Sequence, residues 1–143
     1  MFGPNNAINT DSEKRTMSKV TARPLETKVS FSKGSEVVRV EYGLGELQAT
    51  VHDPDTKTDF VVGFSDVIAF RVLDERDMMD YWPVCSMPNG WLFEINSNGW
   101  LAYESNCLIV AMHPKAKEYL VTGEDDCLNV ISLKAPRVSE GAL

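Results

Sequence analysis

From Leu25 onward the chain breaks into short segments in which apolar and polar residues alternate, each closed by a cluster of turn residues. A period of two belongs to strands with one face buried and one wet, so this pattern restricts the chain to an antiparallel, mainly β fold. The segments are 27–33 (Val29 and Phe31 on one face), 36–42 (Val38, Val40 and Tyr42 opposite Arg39 and Glu41) and 46–52 (Leu47, Ala49 and Val51 inward). Then come 58–64 (Phe60, Val62, Phe64) and 67–73. Between them stand Lys33-Gly34-Ser35, Gly43-Leu44-Gly45, Asp53-Pro54-Asp55 and Ser65-Asp66, where Gly admits positive φ, Pro presets φ and Asp accepts local backbone hydrogen bonds.

One short helix is predicted after Leu73. Asp74 is a fitting N-cap, Glu75 and Asp77 suit the positive end of the helix dipole, and Met78, Met79 and Trp82 form an apolar side before Pro83 stops the turn. Pro83 to Gly90 reads as a loop. The stretch from Trp91 to Glu104 reads as a hairpin, two aromatic strands around Asn98-Gly99. Cys107 to Met112 is an apolar run ended by His113-Pro114, and 118–122 with 127–133 form a last hairpin across the acidic turn Gly123 to Asp126. The expected architecture is a strongly curved antiparallel sheet, barrel or sandwich of about eight strands with one short helix.

Residues 1–24 are polar, carry no apolar period and close at Pro24, so a disordered leader is expected there, with Met17 a plausible true start. A single β-rich domain is expected over 25–136, with a frayed tail over 137–143. The chain has 143 residues, a length that makes one domain and folds without disulfides or structural metal. The opening residues lack the apolar core of a secretory signal, no apolar run of spanning length occurs, and three cysteines (Cys85, Cys107, Cys127) show no C-x-x-C spacing. A cytoplasmic protein with reduced thiols is the expectation.

The net charge is −7, and it is unevenly placed: residues 1–58 hold eight acidic and eight basic side chains, whereas 59–130 hold twelve and four. An acidic half repels phosphate, which argues against nucleic acid or an anionic membrane as direct partner and suits a basic protein.

Enzymatic chemistry finds little to stand on. His52 and His113 each end a predicted strand; Cys107 or Cys127 with His113 and one of Glu118, Glu124 or Asp126 is the only nucleophile, base and acid set to be drawn, and no nucleophile signature surrounds it. Glu124-Asp125-Asp126 lacks the calcium-loop register, and Gly34, Gly43, Gly45 and Gly63 lack the phosphate-loop pattern. No catalytic residue, cofactor or metal is therefore assigned. Trp82, Trp91 and Trp100 with Phe93 and Tyr103 read as core, any exposed members serving a protein or small-ligand surface, because residues 82–106 contain no Lys or Arg to hold a stacked nucleic acid. What remains is a set suited to holding a basic protein, carboxylates for steering and aromatic rings for desolvated contact: Asp74, Glu75, Asp77, Asp80, Trp82, Glu94, Trp100, Glu104, Glu124, Asp125 and Asp126.

Three stretches, FSDVIAFRVLDE from Phe64 to Glu75, GWLFE from Gly90 to Glu94 and EYLVTGEDDC from Glu118 to Cys127, give residues 60–132 a general style that resembles small bacterial proteins encoded beside polymorphic toxins, which look like immunity proteins. The resemblance implies a non-enzymatic cytosolic inhibitor that neutralises a cognate toxin, often a basic nuclease, by occluding its active site. Two other classes stay open: a small-ligand-binding β-barrel with a cavity lined by Trp91, Phe93 and Trp100, and an enzyme built on a cysteine or histidine.

Overall fold

A computed structural model describes residues 19–86, 88–104 and 106–141. Nine strands are present among them: β1 Thr21–Pro24, β2 Glu36–Gly43, β3 Glu46–Asp53, β4 Thr58–Phe64, β5 Val67–Asp74, β6 Leu92–Ser97, β7 Lys117–Val121, β8 Asp126–Ser132 and β9 Arg137–Glu140. A 3₁₀ turn, Glu75–Asp77, and three single-turn helices, α1 Trp82–Cys85, α2 Trp100–Tyr103 and α3 Leu108–Ala111, fill the connections. All strand pairing is antiparallel and forms two open sheets, one in the order β1-β6-β7-β8-β5 and one in the order β2-β3-β4-β9. The fold is thus mainly β, as the alternation requires, and the two sheets face each other as a sandwich.

The sheets differ in how they are buried. In the four-stranded sheet β3 alternates, with Leu47, Ala49 and Val51 inside. In the five-stranded sheet β6, β7 and β8 are covered on both faces. Leu92, Tyr119, Val121, Leu128 and Val130 pack against Leu47, Val51, Val62 and Phe64 of the other sheet. Phe93, Ile95, Leu120 and Cys127 point the other way, into a second core closed by Val20, Met78, Tyr81 and Cys85. Fully burying one such large apolar side chain contributes about 1.5–3 kcal/mol. The segment 75–85 is therefore a third layer, held to the outer face of the five-stranded sheet by Met78 and Tyr81.

Several expectations are corrected. No strand forms over 27–33: the Thr27 hydroxyl bonds both the N–H and the C=O of Val29, a local turn that withdraws these groups from any ladder. The segment is instead a strap, pinned where the Trp91 indole N–H donates to Val29 O at 3.0 Å and where Phe31 meets Trp91 and Phe60 edge to face. Thr21–Pro24, expected in a leader, pairs with β6 as an edge strand, where the missing N–H of Pro24 is tolerated. Arg137–Glu140, expected to fray, pairs with β4. The proposed start at Met17 lies outside the described residues. On β2 a bulge between Val37 and Arg39 shifts the phase, so Val37 and Val40 reach the core while Val38 and Tyr42 are exposed.

The helix expected after Leu73 is a 3₁₀ turn capped by Asp74, and Pro83 opens α1 rather than ending a helix, since a first-turn proline has no hydrogen bond to lose. The 91–104 hairpin is half realised. Asn98 turns the chain at φ 62°, but Trp100–Tyr103 then coils as α2 because its first N–H groups go elsewhere: Trp100 N–H to the Tyr81 hydroxyl and Leu101 N–H to the Glu118 carboxylate. β6 finds its partners in β1 and β7. The apolar run after Cys107 is α3, and it packs into neither core.

Candidate functional site

Two acidic stretches far apart in the chain meet at one end of the five-stranded sheet. Asp74 on β5 and Asp126 on β8 are register partners, and the Glu75 N–H donates to the Asp125 carbonyl at 2.8 Å. The 3₁₀ turn is thereby fastened to the β7–β8 turn, and Asp74, Glu75, Asp77 and Asp80 share an end of the molecule with Glu124, Asp125 and Asp126. The only basic side chain within these two stretches is Arg76, which bonds both oxygens of Asp74. Arg76, through its side chain and backbone N–H, holds the Asp74 carboxyl down to about 2.

Two clefts open on either side of the third layer. One, of about 360 Å³, is walled by Glu75, Trp82 and Cys85 on one side and by Gly34, Ser35 and Glu124 on the other. The Trp82 ring is fixed there, half-buried, by its N–H bond to the Glu75 carbonyl at 2.9 Å. The other, of about 450 Å³, runs between the 77–81 segment and the β6–α2 connection and is lined by Asp77, Asp80, Tyr81, Trp100, Tyr103 and Glu104 together with Arg71. Trp100 donates through its indole N–H to Glu104 at 3.3 Å, and the Arg71 guanidinium lies over its ring, 4.6 Å from the centroid. A wider cleft, about 730 Å³, lies between the strap and β9 and holds none of the expected site residues.

Beneath the 450 Å³ cleft lies a buried polar network. The Arg71 Nε–H donates to Asn129 Oδ1 at 2.9 Å, and Asn129 Nδ2 donates to Glu118 Oε2 at 2.9 Å. Glu118, 1% exposed, also accepts from the Tyr81 hydroxyl at 2.7 Å and the Leu101 N–H at 2.9 Å. Arg71 and Asn129 are register partners on β5 and β8, so the network is a cross-strand ladder on the outer face of the sheet. Burial, with the Glu118 charge alongside, pushes the Tyr81 phenol far up, keeping it a neutral donor.

Eight of the eleven expected partner-binding residues fall on this end: Asp74, Glu75, Asp77, Asp80, Trp82, Glu124, Asp125 and Asp126; Trp100 and Glu104 meet Asp77 and Asp80 in the larger cleft, reaching it from the connection that leaves the other end of β6. Glu94 is corrected. It is buried on β6, paired with Arg23 at 2.8 Å and with Lys117 at 4.0 Å, and so serves the seam of β1, β6 and β7. Tyr103, expected in the core, is instead exposed on the larger cleft, and sequence reasoning missed Arg71 and the exposed apolar ledge of α3, where Leu108, Ile109 and Met112 are 73%, 58% and 68% exposed. The i, i+4 spacing of Leu108 and Met112 was the available signal for the ledge.

Of the cysteines, Cys85 and Cys127 are not activated thiols. Cys127 and Cys85 are fully buried, and burial pushes their thiols up to about 11 and about 12, while Cys107 is exposed at the start of α3. Glu118, drawn earlier as the acid of that set, has both oxygens committed to Tyr81, Leu101 and Asn129. Trp91 and Phe93 sit in the two separate cores on opposite faces of the sheet, so they do not line one cavity with Trp100. Among the described residues no cluster of three His, Cys, Asp or Glu side chains is placed to hold a metal ion, and no helix is long and apolar enough to cross a membrane. Comparison with protein-family models, curated proteins and solved structures finds no match.

Proposed function

We propose that this protein is a non-enzymatic binding module of the immunity type, which takes a basic protein, a bacterial toxin domain in the fullest form of the reading, on its acidic end. The observation that carries the reading is the convergence of Asp74 to Asp80 with Glu124 to Asp126 beside a cleft walled by Trp100 and Tyr103. A surplus of negative charge over a contiguous surface draws a basic partner by long-range attraction and raises the rate of encounter. The rings and the α3 ledge then supply apolar area that gains free energy only when a partner removes it from water. Each element alone is an ordinary surface feature; the meeting of the two acidic stretches beside the Trp100 cleft suits a partner that is both basic and apolar at its centre.

The test is capture from the native host lysate by the tagged protein at low salt, repeated at high salt, followed by rebinding of each captured chain in purified form. The reading expects one basic chain in near-equal amount, lost as salt screens the contact, and inactive as a toxin while bound. A captured chain that is acidic, or whose retention is indifferent to salt, contradicts it.

A further inference from the structure

Within the 450 Å³ cleft the charge is divided. Arg71 is the cation of its lining, mostly buried, and it is held from two sides: Asn129 accepts from its Nε–H, and its guanidinium carbon lies over the Trp100 ring. These contacts fix the plane of the fork and leave both terminal Nη atoms without an acceptor among the described residues. Asp77, Asp80 and Glu104 line the same cleft, yet Arg71 forms no ion pair within 4.0 Å with any described carboxylate. The nearest compensation is indirect, through Asn129 to Glu118.

A guanidinium whose plane is already set loses little freedom on binding, and its paired N–H groups match the two oxygens of a carboxylate. The acidic residues of the lining would repel a ligand that carried only a carboxylate. We propose that this cleft is a receptor for a carboxylate with a cation a few atoms away, the carboxylate bidentate on the Arg71 fork and the cation against Asp77, Asp80 and Glu104. The inference rests on the basic-partner reading and deepens it by naming the group the partner inserts. The same chemistry comes from two sources, the last residue of a chain ending in Lys or Arg and a free cationic amino acid. The 450 Å³ volume accommodates either.

The experiment titrates the ¹⁵N-labelled full chain with Nα-acetyl-L-lysine, Nα-acetyl-L-lysinamide and L-lysine, following the Arg71 Nε–H and the Trp100 indole N–H. A fragment of this size binds at about millimolar strength. Expected are saturable shifts of both signals with Nα-acetyl-L-lysine, at least about tenfold weaker binding of the amide, which lacks the carboxylate, and loss of binding in R71Q. D77N/D80N leaves the Arg71 contacts in place, so it separates binding from folding; it should weaken Nα-acetyl-L-lysine severalfold with an unchanged amide spectrum elsewhere. Tighter binding of L-lysine than of its acetyl form identifies the free amino acid as the source, and the reverse order identifies a chain end. Equal responses to acid and amide, or no saturable shift at either signal, overturn the proposal. Lysate capture that persists when this titration fails sinks the receptor alone; failed capture with the titration intact sinks the partner reading alone.

Discussion

The phenol oxygen of Tyr81 joins two groups from different elements: it donates to Glu118 Oε2 at 2.7 Å and accepts from the Trp100 backbone N–H at 2.8 Å. Through this one atom the third layer, the start of α2 and the outer face of the five-stranded sheet are fastened together, directly under the acidic cleft.

Y81F removes the shared atom while keeping the ring in its apolar packing. It should cost about 1–3 kcal/mol, the range for leaving buried polar groups unsatisfied. Urea denaturation measures the loss, and the Trp100 and Leu101 amides should lose protection from hydrogen exchange selectively. A Y81F protein with unchanged midpoint and unchanged exchange would show that the network is not formed in solution.

Gly99 is a second fixed point. A Cβ there would come within 2.6 Å of Glu118 Oε1 and 2.7 Å of Ile95 Cγ2, so G99A must push aside either a carboxylate already bonded on both oxygens or a core side chain. The expected cost is about 1–3 kcal/mol, as for overpacking elsewhere. The combination G99A/Y81F should be less damaging than the sum of the singles, because both act on Glu118, and a double-mutant cycle by urea denaturation reads that coupling.

Much of the architecture was legible because period two survives wherever one face is wet. β3 shows it plainly, and the tight turns around Gly43-Leu44-Gly45 and Ser65-Asp66 were legible in their residue types, with Leu44, Gly45 and Asp66 at positive φ. It failed where tertiary partners reassigned local groups. Nothing within Trp100–Tyr103 says that Glu118 and Tyr81 will claim its first N–H groups, and nothing in 27–33 outweighs one Thr27 hydroxyl. The acidic site was legible as composition, since Asp74 to Asp80 and Glu124 to Asp126 stand out as runs. Their meeting was not, because it depends on the β5–β8 register. Glu94 looked like its neighbours until Arg23, from a segment expected to be disordered, reached it.

The thiols divide by exposure. Cys107 should react with a disulfide reagent rapidly in the native protein, whereas Cys85 and Cys127 react only on unfolding. Because burial raises both thiols above their ordinary value of about 9, they stay protonated in the fold after the unfolded chain has begun to lose its protons. Their contribution to stability is thus complete below pH 9 and lost as pH rises through about 11 and 12. C85A/C127A should flatten the alkaline limb of a stability-against-pH curve; an unaltered limb would assign it to other groups.

The α3 ledge contributes to neither core, so exchanging Leu108 and Met112 for Ser should leave the urea midpoint within about 0.5 kcal/mol. The same double variant should speed dissociation of the captured partner at least severalfold, read by surface-bound kinetics. A large loss of stability would mean that the ledge is packed within the chain.

The most direct measurement of the central claim is the association rate of the captured basic partner with the wild-type protein and with D77K/D80K/D125K, across a series of salt concentrations. Among the described residues these three side chains form no ion pair, so reversing them leaves the cap at Asp74 and the Glu118 network intact. The account predicts a wild-type association rate that falls steeply with salt and a variant that associates at least about tenfold more slowly at low salt, the two converging at high salt. Equal rates at low salt, with the variant folded, would contradict the assignment of this acidic end as the binding face.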